Sequence, residues 1–319
     1  METILITGGA GYIGSHVVRE FLKKNYQVKV VDNLSTGLLG RLNGLEVEFH
    51  QFGIEEEKKF LDVLDGVDGL VHLAGSKSVE ESMYKPEKYI WNNFFGTSTI
   101  LKCLRMQSIK SFVFSSSSSV YYPKPQGKLI ESDLCQPISP YGYSKLLSEK
   151  IIEYVTGSLK ISSVCLRYFN VIGAEKSSLQ DTSDFNLIPK TINRLRNGLL
   201  PVINGQDYET SDGTCVRDYV DVRDIARGHV NAYEHSSTRQ INEIFNLGSG
   251  HGFSVKEILD EIFKILQLET KIEVNARRPG DPPSLVSEIS KAKNLLSWEP
   301  KYSLKEMIES SVDPFSRLG

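Results

Sequence analysis

The chain has 319 residues, of which 40% are hydrophobic and 24% are charged, and its formal net charge is −3 at pH 7. That length allows roughly two domains of about 150 residues each, and the composition is typical of an ordinary globular protein. The small net charge excludes the strongly basic balance that marks binding to nucleic acid or to an anionic membrane, so an anionic ligand would need a local cluster of positive charge.

The N-terminal segment predicts a strand, a glycine turn, a helix and a second strand. Residues 4–6 form a short apolar run, as expected of a buried parallel strand. Apolar residues then recur at helical spacing from Ile13 to Leu22, and residues 28–31 predict the next strand. The opening METILITGG lacks the basic stretch and long apolar core of a signal peptide. No window reaches the roughly 18 apolar residues that a membrane helix needs, so we expect a cytoplasmic protein.

The alternation of strands and helices continues to residue 170. Repeated β–α units of this kind predict a parallel sheet with helices on both faces, which is the Rossmann-type doubly wound α/β fold. The predicted strands are LEVEFHQF, VDGLVHLAG, KSFVFSS and KISSVCLRYFN, and the predicted helices span residues 55–64, 85–106 and 141–154.

The pattern loosens after Asn170. LIPKTINRLRNG predicts a helix, VRDYVDVRDIARGHVNAYEH a strand followed by a helix, and EIFNLGSG one more strand. The C-terminal part predicts a helix over 255–266, a strand near Ile272 and a helix from Leu304. We therefore predict a dinucleotide-binding domain formed by 1–170 and 217–248, and a smaller C-terminal α/β substrate domain formed by 171–216 and 249–319.

The four cysteines are scattered along the chain. They form no CxxC pair, and no histidine lies at the spacing of a metal ligand. We expect reduced thiols, with neither a disulfide nor a zinc site, at Cys103, Cys135, Cys165 and Cys215.

The segment TGGAGYIGS carries the first chemical motif. Its glycines fit G-x-G-x-x-G from Gly9 and the close variant G-x-x-G-x-x-G from Gly8. Glycine permits a tight turn and close approach of the backbone to a pyrophosphate, and the N-terminus of the following helix attracts phosphate. Alone, this pattern could be a structural glycine turn. Asp32 ends the next strand, where an acid binds the ribose 2′-hydroxyl and repels the 2′-phosphate of NADP, so the sequence favours NAD.

The segment SPYGYSKLLSEK carries the second motif. Tyr141 and Lys145 are four residues apart and share one face of a predicted helix. A phenol with a pKa near 10 is a weak base at neutral pH, but a lysine ammonium one turn away and a positive nicotinamide ring would favour the phenolate. Tyr141 could then act as a general base. By itself, such a pair is equally compatible with an ordinary helix surface.

Five consecutive serines, residues 115–119, stand in FVFSSSSSVYYPKPQ. A serine tract is usually a flexible linker. This one directly follows an apolar strand-like run, and a flexible spacer there would split a β–α unit. From the residues alone, either a linker or hydroxyls placed for chemistry is possible.

Eight segments, in this order, resemble the extended short-chain dehydrogenase/reductase family, and within it the enzymes that epimerise UDP-hexoses at C4. The resemblance runs from Ile4 to about Trp298, and eight modest motifs in register are together specific. They are TGGAGYIGS, HLAGSKSVEES, NNFFGT, FSSSSSVY, YGYSK, RYFNVIGA, DGTCVRDYV and RRPGD.

The resemblance implies an activity and a catalytic group. The resemblance implies that the serine tract is the end of a strand. Its third serine, Ser117, binds the sugar 4-hydroxyl and relays the hydroxyl proton towards Tyr141. Lys145 assists Tyr141 as the general base. Hydride leaves C4 for NAD⁺, the 4-keto sugar turns within the pocket, and hydride returns to its other face. The implied reaction is the interconversion of UDP-galactose and UDP-glucose with NAD that stays bound.

The same register implies the ligand contacts. Arg217 and Arg278 should contact the diphosphate, which suits the planar guanidinium fork, although each arginine taken alone would be interpreted as part of a solvated surface pair. The other substrate residues are Asn170 and Asn186 for diphosphate or sugar, Leu187 lining the pocket and Asp281 for the uridine ribose, beside Ser117 and Tyr141. The cofactor residues are Gly8, Gly11, Tyr12, Ile13, Gly14, Asp32, Asn33, Ile54, Leu73, Ala74, Gly75, Lys77, Asn93, Ser115, Ser116, Tyr141, Lys145 and Tyr168, and no metal is implied.

Three departures from the family pattern bear on function. The family usually has an aspartate that binds the adenine amino group where this chain has Gly53, so we expect weaker retention of NAD. Asn204 replaces an apolar residue that often packs near uracil. Leu285, four residues beyond Asp281, has intermediate size at the position that limits room for an N-acetyl group, so UDP-N-acetylhexosamines remain alternative substrates.

Two further alternatives stay open. A reductase or dehydratase acting on nucleotide sugars is disfavoured, because Ser118-Ser119 stand where the related 4,6-dehydratases carry Asp-Glu, and serine is a poor acid–base group. A non-catalytic sensor of NAD(H) would be expected to lose the tyrosine, lysine or serine, and this chain keeps all three.

Other conspicuous residues have structural explanations. His72 ends an apolar strand and is expected to be packed and hydrogen-bonded rather than catalytic. Trp91, Phe94 and Phe95 lie on a long amphipathic helix and are expected in the core or at an interface. The resemblance implies a homodimer in which this helix and the Tyr141 helix form a four-helix bundle.

Overall fold

Thirteen strands and eleven α-helices are described by the computed structural model, which covers residues 1–124, 127–278 and 281–312. The strands are β1 (Thr3–Thr7), β2 (Gln27–Val31), β3 (Glu48–His50), β4 (Gly69–His72), β5 (Ser111–Ser117), β6 (Ser162–Tyr168), β7 (Asn170–Ile172), β8 (Val202–Asn204), β9 (Val216–Asp221), β10 (Asn242–Leu247), β11 (Gly252–Ser254), β12 (Glu273–Asn275) and β13 (Ser284–Leu285). The helices are α1 (Tyr12–Lys23), α2 (Glu57–Val63), α3 (Val79–Tyr84), α4 (Pro86–Tyr89), α5 (Gly96–Leu104), α6 (Pro140–Leu159), α7 (Leu187–Arg196), α8 (Val222–Ser237), α9 (Val255–Leu266), α10 (Ser290–Leu296) and α11 (Leu304–Ser311). Within the described ranges, none of these helices has the length and apolar character needed to cross a bilayer.

The larger sheet contains seven parallel strands in the order β10-β6-β5-β4-β1-β2-β3. One face is covered by α1 and α8, and the opposite face by α2, α5 and α6. The strand order changes direction between β1 and β4, and open α/β sheets bind ligands outside the carboxyl ends of strands at such a point. The predicted doubly wound fold is confirmed.

A second, smaller group of elements follows β6. In it, β9 pairs with β7, β11 and β13, while β8 pairs with β12. Side chains of α7, α9 and α11 form its own hydrophobic cluster. Because α8 follows β9 directly and packs on the larger sheet, the chain passes between the two groups at this point.

The long helix predicted over residues 85–106 spans 86–104 and has π-helical geometry over Ile90–Phe95. Within that segment the Asn93 carbonyl accepts a hydrogen bond from the Thr97 hydroxyl at 2.7 Å, an arrangement that competes with regular helix bonding. Such π segments occur often at functional sites because they change the direction of side chains. Here the Asn93 side chain points inward and is buried.

Candidate active site

The turn between β1 and α1 forms a cradle that only glycine fits. Gly8 has a φ of +73° and donates its N–H to the carbonyl of Val31 at 2.8 Å. A Cβ added to Gly14 would lie 2.0 Å from the Gly8 carbonyl oxygen. Gly11 precedes α1 without any side-chain cap, so the first N–H groups of that helix face the turn. These features fit the pyrophosphate of a dinucleotide such as NAD.

Asp32 lies at the end of β2, beside the glycine turn. Its Oδ2 accepts the N–H of Ala10 at 3.0 Å and its Oδ1 accepts that of Leu34 at 2.8 Å. Burial raises the pKa of this carboxyl, against the opposing effect of the two backbone bonds and of the Arg41 charge. The carboxylate therefore stands at the position that suits a ribose hydroxyl.

Arg41 was not predicted as a site residue. Its side chain is buried, and its Nη2 donates to the carbonyl of Gln180 at 2.9 Å and to Oγ1 of Thr182 at 3.4 Å. Its charge acts on Asp32, so a cation lies next to the cofactor region. In the sequence it is a single basic residue in a leucine-rich stretch, LLGRLNG, and nothing local distinguishes it.

The loop after β4 runs beside the glycine turn. A Cβ on Gly8 would lie 2.8 Å from the backbone nitrogen of Ala74, so Leu73 and Ala74 pass close to the cradle, while a Cβ on Gly75 would lie 2.8 Å from Oδ1 of Asn93. Asn93 holds this loop, because its Oδ1 accepts the N–H of Ser76 at 2.7 Å and its Nδ2 donates to the Ser76 carbonyl at 3.1 Å. The same amide donates to Oγ of Ser144 at 2.9 Å and so connects the loop to α6.

The residues expected at the adenine end lie in two segments, at residue 33 and at residues 53–54. Asn33 is exposed and its Oδ1 accepts the N–H of Ser35 at 3.0 Å. Ile54 is buried against Gly96. A Cβ on Gly53 would lie 2.2 Å from the Glu55 carboxylate, so a neighbouring acid occupies the space of the aspartate side chain that this chain lacks.

The serine tract is the end of β5, followed by a 3₁₀ turn over Ser118–Val120, and it is not a linker. Ser115 bonds Nε2 of His229 at 2.8 Å, and the Ser116 hydroxyl donates to Glu149 at 2.5 Å. These two side chains thus bind α8 and α6, and the Ser115 carbonyl accepts Nζ of Lys145 at 2.9 Å. Ser117, by contrast, lies next to the phenol of Tyr141, where its hydrogen bond opposes the larger effect of burial, which raises the pKa of that phenol.

Tyr141 and Lys145 lie on α6, and both are buried. Burial lowers the pKa of Lys145 to about 8, because it disfavours the ammonium, while the Glu149 carboxylate acts in the opposite direction. The pKa of Tyr141 is raised, since burial outweighs the effect of Ser117. The lysine ammonium is directed at the Ser115 carbonyl. The lowering of the tyrosine pKa by Lys145 together with a positive nicotinamide ring stays a prediction.

A buried ion pair that no sequence pattern predicted lies between α6 and β6, beside Ser116. Arg167 donates through Nε and Nη2 to the two oxygens of Glu149, at 2.9 and 2.6 Å. The two side chains are only 3% and 2% exposed. Glu149 follows Lys145 by four residues on α6, and this spacing was the one signal of its role.

The predicted substrate residues lie in and around the smaller group of strands. Arg217 in β9 donates to Asp281 at 2.6 Å, and although burial alone would lower its pKa, Asp281 holds that pKa above its ordinary value. Arg278 lies within 3.2 Å of the Asn204 side chain, whose amide is assigned with its oxygen towards the guanidinium. Asn204 thus holds an arginine where the family pattern has an apolar residue.

Leu285 connects the substrate residues to the serine tract. In β13 it pairs with Arg217 of β9. Its side chain packs against a hydrophobic cluster formed by Val120, Tyr121, Leu129 and Phe169. Tyr168, which precedes Phe169, pairs with Ser117 in the larger sheet, so this cluster connects the strand of Arg217 to the end of the serine tract.

The remaining predicted residues lie at the starts of β7, α7 and α1. Asn170 begins β7 and is exposed, while Asn186 precedes α7 and Leu187 begins it. Tyr12 begins α1, is buried, and donates its hydroxyl to the Gly173 carbonyl at 2.6 Å; Ile13 follows it and is half-buried.

His72 is packed and hydrogen-bonded, as expected. Its ring forms hydrogen bonds with the hydroxyls of Thr7 at 2.7 Å and Thr97 at 3.0 Å, and burial lowers its pKa to about 3.

Comparison with known proteins gives matches along nearly the whole chain. The UDP-glucose 4-epimerase of Halalkalibacterium halodurans is 40% identical over 314 residues, which cover 96% of this chain and 93% of that protein. The structure of Brucella ovis UDP-glucose 4-epimerase in complex with NAD matches with a TM-score of 0.92 and 33% identity, covering 98% of this chain and 97% of that one. The UDP-Glc/GlcNAc 4-epimerase of Campylobacter jejuni matches with a TM-score of 0.85 and 35% identity, covering 98% of each chain.

A model of the NAD dependent epimerase/dehydratase family matches residues 4–248. This range contains the glycine turn, Asp32, the serine tract, Tyr141 and Lys145. The resemblance seen in the sequence is confirmed, and the chain belongs to the NAD dependent epimerase/dehydratase family.

Proposed function

We propose that this protein is a UDP-hexose 4-epimerase, an isomerase that interconverts UDP-galactose and UDP-glucose with bound NAD. The observation that carries the proposal is the placement of Ser117 beside the Tyr141 phenol, with Lys145 one helical turn away, at the carboxyl edge of the parallel sheet. The relatives named above are UDP-glucose 4-epimerases, and one of them was solved with NAD.

The cofactor would lie along the glycine turn, with Asp32 at its ribose and Lys77 at a phosphate. When bound, NAD supplies the hydride acceptor and donor that oxidation and re-reduction at the sugar C4 require. Asn93 fixes the loop that passes beside the cofactor. We propose residues 1–170 and 217–248 as the part of the chain that binds it.

Tyr141 takes the proton from the sugar C4 hydroxyl and later returns it, and Ser117 hydrogen-bonds the same oxygen. Positioned proton transfer of this kind contributes about 10²- to 10⁴-fold to rate. The Lys145 ammonium donates to the Ser115 carbonyl, which holds it on the face of α6 that also carries Tyr141. The serine tract therefore places the Ser117 hydroxyl at the sugar and the Ser115 carbonyl at Lys145.

The UDP portion must stay bound while the sugar turns. The buried Arg217 forms an ion pair with the partly exposed Asp281, and Arg278 hydrogen-bonds Asn204 of β8. The two guanidinium groups are available for the diphosphate, and the Asp281 carboxylate for the uridine ribose. Asn170, Asn186 and Leu187 would complete this side of the pocket. Residues 171–216 and 249–319 are the part of the chain that we propose for nucleotide-sugar binding.

A UDP-N-acetylhexosamine is the second candidate substrate. Leu285 is half-buried and packs against the cluster of Val120, Tyr121, Leu129 and Phe169. A leucine side chain is smaller than an aromatic one and therefore restricts the pocket less. The Campylobacter jejuni relative is described as acting on both UDP-Glc and UDP-GlcNAc. Elimination chemistry is less well supported, because Ser118 and Ser119 provide only hydroxyls.

We also propose a homodimer. Large aromatic side chains are exposed on α6 and on the helix that contains α4, the π segment and α5, including Trp91 at 64%, Phe95 at 46% and Tyr154 at 74%. Exposed aromatic groups of this kind mark protein interfaces.

The test of the activity is incubation of the purified protein with UDP-galactose and no added cofactor, with the anomeric proton of the sugar followed by NMR. We expect UDP-glucose to appear. Tyr141→Phe should abolish conversion, whereas Tyr143→Phe, two residues away and 53% exposed, should leave it unchanged. Conversion only after NAD is added would agree with weak retention at Gly53. No conversion of UDP-galactose even with NAD would contradict this substrate, and UDP-GlcNAc would then be tested.

A further inference from the structure

Asp181 lies in the loop between β7 and α7 and contacts residues from both sides of the site. Its side chain is only 11% exposed and accepts hydrogen bonds from several donors. These include the N–H of Ser183 at 3.1 Å and the Ser183 hydroxyl at 3.0 Å, both from its own loop. These two bonds connect the carboxylate to its own loop.

On the cofactor side, Asp181 binds Lys77. The Lys77 Nζ lies 3.3 Å from Oδ1 and 3.4 Å from Oδ2, although the two residues are 104 positions apart. The same Nζ is 5.9 Å from the centre of the Tyr12 ring, and Tyr12 is the first residue of the helix that follows the glycine turn. The ammonium is thus held close to the cradle that fits a dinucleotide diphosphate.

On the substrate side, Asp181 binds Asn186. The Asn186 Nδ2 donates to Oδ2 of Asp181 at 2.6 Å. Asn186 occupies the N-cap of α7, but its side chain makes no capping bond because its amide is directed at Asp181. Tyr12, Asp181 and Asn186 line one small cavity together with residues of β7 and α7.

Arg41 also contacts this loop. Its guanidinium donates to the Gln180 carbonyl and to the Thr182 hydroxyl, and these two residues flank Asp181 in sequence. A lysine side chain loses considerable rotamer freedom when it is held in place. The Lys77 side chain is 44% exposed, so it keeps part of that freedom until a ligand binds. Because Lys77 and Asn186 share the Asp181 carboxylate, a ligand that orders either of them also restrains Asp181 and lowers the entropic cost of ordering the other.

We propose that Asp181 is a positioning residue that couples cofactor binding to UDP binding, because one carboxylate holds both Lys77 for the cofactor diphosphate and Asn186 for the nucleotide sugar. This proposal rests on the proposed function. Coupling between two sites is reciprocal, so bound UDP should slow release of NAD. A ligand on either side restrains the carboxylate on which the other side depends.

The test measures release of NAD from the NAD-loaded protein, with and without saturating UDP, by dilution into an NAD-consuming enzyme. In the wild-type protein we expect UDP to slow release by about fivefold or more, the lower end of ordinary coupling. In Asp181→Ala, release should be faster and the UDP effect should fall to about onefold, that is, no effect. Asp181→Asn keeps the shape and an acceptor for Asn186 but no charge for Lys77, so it should lie between the two. It also serves if the alanine variant does not fold.

Asp184→Ala is the matched control, since Asp184 is on the same loop and is exposed, and its carboxylate contacts Asn193 of α7. It should retain the wild-type response to UDP. The inference is overturned if UDP does not slow release in the wild-type protein, or if Asp181→Ala keeps the full effect. Calorimetric binding of UDP to the wild-type protein separates these results from failure of the proposed function. A protein that binds no UDP would contradict both, whereas one that binds UDP without coupling would contradict the inference alone.

Discussion

Replacing Glu149 by glutamine should destabilise the protein strongly, although the two side chains have nearly the same shape. One carboxylate oxygen of Glu149 accepts both the Ser116 hydroxyl and Nε of Arg167, and the other accepts Nη2 of Arg167 at 2.6 Å. Glutamine retains one acceptor and places an N–H₂ group against a guanidinium nitrogen. Arg167 would then be a buried cation without its counter-charge.

The expected size follows from the burial of the pair, with both side chains at most 3% exposed. Removing one partner of a buried ion pair costs about 3–5 kcal/mol, out of a total free energy of unfolding of about 5–15 kcal/mol. Each kcal/mol lowers Tm by about 2 °C in larger domains. The variant should therefore melt roughly 6–10 °C below the wild-type protein.

Differential scanning calorimetry at a fixed protein and NAD concentration measures this change. The matched control is Glu153→Gln, on the same helix, because Glu153 pairs with Lys150 at 3.2 Å and both side chains are more than half exposed. That exposed change should alter stability by less than about 0.5 kcal/mol. The double variant Glu149→Gln/Arg167→Gln should regain part of the loss, since it leaves no unpaired buried charge.

Two results would refute this reasoning. One is a Tm of Glu149→Gln within about 1 °C of the wild-type value, which would correspond to less than 1 kcal/mol. The other is a double variant whose loss equals the sum of the two single losses, which would mean that the two side chains do not interact energetically.

Two further predictions concern the cofactor and the pH dependence. Gly14→Ala should yield protein that purifies without NAD absorbance, because the new Cβ would lie 2.0 Å from the Gly8 carbonyl oxygen; protein that still carries stoichiometric NAD would contradict the cradle. Turnover of UDP-galactose should fall as the pH rises through about 8, because burial lowers the pKa of Lys145 to about 8 and the ammonium is lost above it. Since Glu149 raises that pKa, Glu149→Gln should move the falling limb of the pH–rate profile to lower pH, and an unchanged or higher midpoint would count against this role of Lys145.

The sequence alone determined the features whose signals are local in the chain. The β–α alternation rests on hydrophobic periodicity, and it correctly predicted the doubly wound sheet. The glycine turn with Asp32 and the four-residue spacing of Tyr141 and Lys145 also lie within single supersecondary units. Their local geometry therefore follows from residue type and spacing.

Only the tertiary structure decided which distant side chains meet and how burial changes their chemistry. Lys77 and Asp181 are 104 residues apart, and Arg217 and Asp281 are 64 apart, so no local pattern joins either pair. The raised pKa of Tyr141 likewise depends on burial rather than on its neighbour in the motif. Contacts between distant segments and the removal of water from a charged group both arise from packing, because they depend on elements that come together only when the whole chain has folded.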